Sequence, residues 1–286
     1  MTWSIDGKQV LLTGASRGIG HATALALAKA GANLSLLVRN REAGEKVIEE
    51  IRALNPKVRA DLIVADLSSQ QEIRRAAAEY QQKHDRLDVL LNNAGAIYSH
   101  RETTVDGYER TFATNHLAYF LLTVLLLDVL KKSAPSRVVN VASLAHAWDR
   151  LDFDDLMFDK RPYHAFRAYG RSKLANVLFT RELARRLDGS GVTANCLHPG
   201  AIASGFGKNN QSFFGWVMRN LAGPFLAGEE SGARTSIYLA TSPEVEGKTG
   251  LYFANSRAVT PNRAARDDAA AARLWEVSER LVQKTA

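Results

Sequence analysis

Tyr169-Gly170-Arg171-Ser172-Lys173 sets a phenol and an ammonium four residues apart. On a helix that spacing puts both side chains on one face, one turn apart. A free tyrosine has a pKa near ~10, too high to serve as acid or base at neutral pH. An ammonium beside it favours the phenolate and pulls the value down, so the pair can act as a proton-transfer device. A Tyr–Lys pair is also common on solvated helix faces, so the rest of the chain has to decide. A second group of residues bears on it. Gly14-Ala15-Ser16-Arg17-Gly18-Ile19-Gly20 follows the apolar run Lys8 to Thr13 and precedes an alanine- and leucine-rich stretch, His21 to Ala30. Glycines there let backbone approach a pyrophosphate with no Cβ in the way, and a helix N-terminus offers free N–H groups and a positive dipole end to the anion.

These residues need strands and helices in a set order, and the pattern supplies them. Apolar strands are expected at Lys8–Thr13, Asn33–Val38, Val58–Ala65, Leu87–Leu91, Arg137–Ala142, Val192–Leu197 and Leu251–Ala254. Helices are expected at His21–Ala30 (closed by Gly31), Arg39–Leu54, Gln70–His84, Val105–Lys131, Phe166–Leu187, Glu229–Thr241 and Asp267–Lys284. Strict alternation predicts one α/β domain over residues 1–286: a doubly wound (Rossmann) fold, with an about seven-stranded, mainly parallel sheet and helices on both faces. Its last segment, 265–284, is the C-terminal helix, with Leu274, Trp275, Val277 and Leu281 facing inward. In such sheets the site lies beyond the carboxyl ends of the strands. Gly14 to Gly20, Arg39, Asp66, Asn92 to Gly95, Ser143 and Pro199-Gly200 all fall there.

An NAD site usually offers a carboxylate about 20 residues past the glycine turn, for the ribose 2′-hydroxyl. Here Arg39-Asn40-Arg41 stands after the second strand. A guanidinium binds a 2′-phosphate that a carboxylate would repel, and Arg17 can approach from the other side. The expected cofactor is NADP(H) and the expected direction in cells is reduction.

Composition narrows the alternatives. The 286 residues are 46% hydrophobic, with net charge +7 and one cysteine, Cys196. One cysteine allows neither an intrachain disulfide nor a cysteine metal cluster. The basic residues are scattered without aromatic interleaving, which disfavours nucleic acid. The longest apolar run, Leu117 to Leu127, is too short to span a bilayer. No signal-peptide pattern opens the sequence; a cytoplasmic protein is expected. Gly247-Lys248-Thr249 lacks the upstream glycine of a P-loop, since Ser242 stands there. No G-x-S-x-G or H-E-x-x-H occurs, and His100, His116, His146, His164 and His198 lack metal spacing, so no metal site is expected.

Thr13-Gly14-x-x-x-Gly18-Ile19-Gly20, Asn92-Asn93-Ala94-Gly95, Asn115, Ser143, Tyr169-x-x-x-Lys173 and Pro199-Gly200, in that order, make the chain resemble the short-chain dehydrogenase/reductase family over essentially its whole length. Phe112-Ala113-Thr114-Asn115-His116-Leu117 and Ser172-Lys173-Leu174-Ala175-Asn176 look like its retinol dehydrogenase-like branch, whose members often carry an N-terminal membrane anchor. The resemblance implies a hydride transfer between NADP(H) and a carbonyl or alcohol. Tyr169 would be the acid or base; Lys173 would tune it and hold the nicotinamide ribose. Ser143 would bind the substrate oxygen, and Asn115 would shape its helix and hold a relay water. By the same resemblance, Gly14, Ser16, Arg17, Gly18, Ile19 and Gly20 would cradle the phosphates, with Arg39 and Asn40 at the 2′ position. Asp66 and Leu67 would meet the adenine, and Asn93, Ala94 and Gly95 its ribose side. Pro199, Gly200, Ile202 and Ser204 would meet the nicotinamide.

Substrate choice is expected in two insertions. Segment 144–168 carries Trp148, Phe153, Leu156, Met157, Phe158 and Phe166; segment 201–228 carries Phe206, Phe213, Phe214, Trp216, Met218, Leu221 and Phe225. They read as an apolar cover over a small lipophilic aldehyde or ketone, or as sheet-covering, subunit-contact or membrane-contact surface. Monomer and homodimer are both open. A cofactor-binding sensor without turnover, and a same-fold C=C reductase or epimerase, are the competing functions.

Overall fold

The strand runs carry large apolar residues at successive positions because both faces of the sheet are covered. A computed structural model describes residues 2–200 and 228–283 of the chain. The expectations for Ile202, Ser204 and the aromatic segment 201–227 lie outside them. β1 (Gln9–Thr13), β2 (Asn33–Val38), β3 (Ala60–Val64), β4 (Val89–Asn92), β5 (Ser136–Val141), β6 (Val192–His198) and β7 (Tyr252–Ala254) run parallel; β8 (Arg257–Val259) pairs antiparallel with β7. Their order across the sheet is β3-β2-β1-β4-β5-β6-β7-β8. The order in which successive strands are added reverses between β1 and β4, and that switch point opens the crevice where such folds bind ligands.

Side chains alternate between two cores. Val10, Leu12, Leu34, Leu36, Val89, Leu91, Val139 and Val141 face α1 (Gly18–Lys29), α2 (Arg41–Leu54) and α8 (Glu229–Thr241). Leu11, Leu37, Leu90 and Val138 face α3 (Gln70–Lys83), α5 (Ala118–Leu125), α7 (Ala165–Arg186) and α9 (Asp268–Gln283). Each such fully buried aliphatic side chain contributes about 1.5–3 kcal/mol. On α9, Leu274 and Trp275 are buried as expected, while Val277 and Leu281 are half-buried. No described helix is long and apolar enough to cross a membrane.

Three expectations need correction. The sheet has eight strands, not about seven. β8 follows a two-residue turn at Asn255 (φ 48°) and Ser256 (φ 60°), the left-handed geometry of a tight hairpin, without the glycine that usually marks one. The first helix begins at Gly18 rather than His21, so the last glycines of the turn are already its first turn. The helix placed at Val105–Lys131 begins at Arg110, because the Glu109 carboxylate accepts the N–H groups of Thr111 and Phe112, both at 2.7 Å. It then breaks into α4 (Arg110–Phe112), a π-turn (Ala113–Leu117), α5 and α6 (Leu127–Lys132).

Candidate active site

β1 delivers the glycine turn. Gly14 has φ 71° and Gly18 has φ 64°, conformations that glycine adopts without strain. A Cβ on Gly14 would lie 2.8 Å from Ala94 Cα, and one on Gly20 would lie 2.2 Å from the Gly14 oxygen and 2.6 Å from Asn93 Nδ2. Asn93 is the bolt here. Its Nδ2 donates to the Thr13 oxygen (2.9 Å) and the Gly14 oxygen (3.3 Å), while Thr13 Oγ1 accepts from the N–H groups of Asn93 and Ala94. Gly20→Ala is therefore expected to destabilise the fold by about 2 kcal/mol through overpacking; urea unfolding reads it, and a loss under ~0.5 kcal/mol would contradict this packing.

The same turn fits a dinucleotide pyrophosphate. α1 begins after Arg17 with no side-chain cap and no acidic residue in its first turn. Its leading N–H groups and positive dipole end are thus unclaimed by the described side chains. Ser16 is half-buried and Arg17 exposed beside it, and Arg39 is exposed at the end of β2. Neither arginine forms an ion pair among the described residues. Asn40 turns its Oδ1 to cap α2, accepting from Ala43 N at 2.8 Å. At the end of β3, Asp66 Oδ1 accepts from Ser68 N (2.8 Å) and Leu67 is buried.

Ser143, Tyr169 and Lys173 converge beyond β5. Ser143 follows the last strand residues and caps the 3-10 turn Leu144–Ala147, its Oγ accepting from Ala145 N at 3.2 Å. It also hydrogen-bonds the Tyr169 phenol. Tyr169 and Lys173 lie one turn apart on α7, both buried. Lys173 Nζ donates to the Val141 oxygen at 2.9 Å and sits 5.6 Å from the Tyr169 ring centre. Ile97, Ala145, Ala165 and Phe166 pack round Tyr169.

Burial pushes the Tyr169 phenol above the ordinary tyrosine value, against the Ser143 hydrogen bond, which lowers it, and burial lowers Lys173 to about 7. Desolvation disfavours the charged form of each group.

Asn115 lies in the π-turn Ala113–Leu117. Its Oδ1 accepts from Ala96 N (2.8 Å); its Nδ2 donates to the Ala96 oxygen (2.8 Å) and Ser172 Oγ (3.0 Å). The displaced Asn115 carbonyl accepts from Asn176 Nδ2 at 2.9 Å. A Cβ on Gly95 would sit 3.3 Å from Lys173 Nζ and 3.4 Å from Asn115 Oδ1, so the β4 loop passes close to both groups. Beyond β6, Pro199 leads to Gly200 (φ 87°), whose N–H is accepted by His198 Nδ1 at 3.1 Å.

Sequence reasoning missed two supports. Tyr119 on α5 donates its hydroxyl to the Ala94 oxygen at 2.8 Å. Arg171, within the Tyr169–Lys173 motif, is buried, pairs with Asp149 at 2.9 Å and donates to the Asp155 oxygen at 3.1 Å. A charged residue at the centre of a buried helix was the available signal. Arg171 fastens segment 144–168 to α7. Within that segment Phe153, Leu156 and Met157 join the core under α7 and α9, so they cover structure, whereas Trp148 is exposed and touches Phe166 edge-on at 5.9 Å.

The family model for the short chain dehydrogenase matches residues 8–213. Retinol dehydrogenase 13 of Mus musculus is 44% identical over 289 residues, covering 98% of this chain and 85% of that one. Among solved structures, an uncharacterized protein of Mycobacterium paratuberculosis has TM-score 0.79 and 32% identity, over 99% of this chain and 96% of its own. The RhlG/NADP active-site complex of Pseudomonas aeruginosa has TM-score 0.69 and 29% identity, over 87% and 95%.

Proposed function

We infer the activity from one premise: the chain belongs to the short chain dehydrogenase family, as a retinol dehydrogenase-like oxidoreductase. The reading that fits best is an NADP(H)-dependent enzyme that moves hydride between nicotinamide and the carbonyl or alcohol carbon of an apolar aldehyde or ketone. One observation carries it: the Ser143 hydroxyl, the buried Tyr169 phenol and Lys173 meet beside a glycine turn and an uncapped helix N-terminus flanked by Arg17 and Arg39. The NADP complex of a 29% identical neighbour supports a nicotinamide cofactor.

A bound nicotinamide supplies the hydride, or accepts it. Ser143 donates to the substrate oxygen and orients it. Tyr169 gives its proton to that oxygen as the carbonyl is reduced and takes it back when the alcohol is oxidised. Lys173, near 7, can hold the ribose hydroxyls and pass a proton on. Asn115 keeps the π-turn open beside Lys173, where a relay water would sit. The apolar wall of Ile97, Ala145 and Phe166, with exposed Trp148 at its rim, favours apolar substrates.

The upward shift of the buried Tyr169 phenol supports one sign for the pH dependence. Reduction needs the protonated phenol, so its rate is expected to hold level through neutrality and fall only in alkaline solution. Oxidation needs the phenolate, so its rate is expected to climb above neutrality by up to about tenfold per pH unit. Steady-state profiles in both directions check this; a reduction rate that falls between about pH 6 and 7 would contradict it. The activity itself is tested by following NADPH absorbance with a panel of aldehydes, ketones, steroids, quinones and retinal. NADPH that binds but is never consumed would favour a cofactor sensor.

A further inference from the structure

A buried cluster behind Ser143 has no part in the chemistry above. His146 lies on the 3-10 turn, three residues past Ser143, and is 4% exposed; Tyr252 on β7 is also 4% exposed. His146 Nδ1 lies 2.7 Å from the Ser143 carbonyl oxygen and 3.3 Å from the Tyr252 hydroxyl. A carbonyl has no proton to give, so Nδ1 carries the hydrogen and donates it. Burial lowers the imidazole pKa and holds the ring neutral, so this is its one N–H. Nε2 is then the lone-pair nitrogen, and it has no hydrogen-bond partner among the described residues. An apolar ring could fill the same space, edge-on to Tyr252 at 4.9 Å, without stranding a buried nitrogen. What the imidazole adds is the donor.

That donor acts where it matters for Ser143. Short 3-10 turns have poor hydrogen-bond geometry. The Ser143 oxygen accepts the turn's own bond from His146 N at 3.1 Å, and the side chain adds a second, shorter one. Ser143 is extended (φ −164°, ψ 159°), at the point where the chain leaves the sheet. Clamping its carbonyl restrains the backbone of the turn, whose Ala145 N–H holds the Ser143 Oγ at 3.2 Å, and so helps to place the hydroxyl that meets Tyr169. Across the cluster, the Tyr252 ring lies 5.7 Å from that of His198, which holds the Pro199-Gly200 turn through Gly200 N.

We propose that His146 is a positioning residue whose Nδ1–H clamps the Ser143 carbonyl and thereby aims the Ser143 hydroxyl at the reacting oxygen. This rests on the carbonyl-reductase reading and deepens it. The test compares His146→Asn, His146→Gln and His146→Phe with the wild type, measuring kcat, carbonyl KM and NADPH affinity by fluorescence. Asparagine carries its donor at the same distance from Cβ as Nδ1; glutamine carries it one atom further. His146→Asn is expected within about threefold of wild-type kcat, and the Gln and Phe variants more than about tenfold below it, with NADPH affinity unchanged in all three. If the Phe variant does not fold, the contrast between Asn and Gln decides alone. Equal losses in Asn and Gln, or a loss that appears in NADPH affinity rather than kcat, would overturn the proposal. A wild type that binds NADPH but reduces no carbonyl would overturn the activity reading and this inference with it, whereas an active wild type with equal losses overturns the inference only.

Discussion

On the proposed activity, Tyr169→Phe is expected to lower kcat for carbonyl reduction by about 10³-fold, within the range for loss of a general acid, and to leave NADPH binding nearly unchanged. The reason is local. Removing the phenol oxygen would remove the group proposed to give up its proton to the substrate oxygen, but the ring keeps its packing against Ile97, Ala145 and Phe166. Lys173 keeps its bond to the Val141 oxygen at 2.9 Å, so the group expected to hold the ribose stays in place. Ser143 remains to polarise the carbonyl, which accounts for the residual rate. Stability changes by no more than about 1 kcal/mol, as for a substitution that deletes one atom and leaves no cavity. Steady-state rates and a fluorescence titration of NADPH read both halves. A variant within tenfold of the wild type would mean that another group protonates the substrate.

The second large effect concerns the cofactor. Arg39→Asp is expected to shift the ratio of kcat/KM for NADPH over NADH by about a hundredfold or more toward NADH. The guanidinium offers paired donors to a 2′-phosphate, whereas a carboxylate in its place repels that phosphate and accepts from a 2′-hydroxyl. Arg39 is exposed at the end of β2 and has no ion-pair partner among the described residues, so its replacement leaves the fold intact. Asn40, next to it, continues to cap α2 through Ala43 N. Parallel assays with the two cofactors give the ratio. Equal use of NADPH and NADH by the wild type would contradict the assignment.

The parts of the site built from strand ends were legible in the sequence. Glycines after an apolar run, a Tyr and Lys one helical turn apart, and polar residues at the ends of β4, β5 and β6 all depend on local spacing. What escaped depends on contacts between distant segments. The π-turn at Ala113–Leu117 is held by Asn115 bonding Ala96 and Ser172, and no local pattern marks it. β8 escaped because its Asn255-Ser256 turn lacks glycine. The start of the long helix was misplaced because Glu109 caps from a position that reads as helix interior. Burial of Arg171 and Lys173 arises because α7 is enclosed by the sheet, the π-turn and α9, and that enclosure raises Tyr169 where its neighbour alone would lower it. His146 lacks metal spacing in the sequence, and its hydrogen bond to Ser143 exists only in the folded turn.

In the proposed reaction this site carries hydride from a nicotinamide to a carbonyl carbon and Tyr169 supplies the accompanying proton. NADPH deuterated at the transferring nicotinamide position, incubated with the wild type and an apolar aldehyde such as retinal, should yield alcohol carrying one deuterium on the former carbonyl carbon, and the yield should collapse in Tyr169→Phe. Alcohol without the label, or bound NADPH with no alcohol from any carbonyl tried, would contradict it.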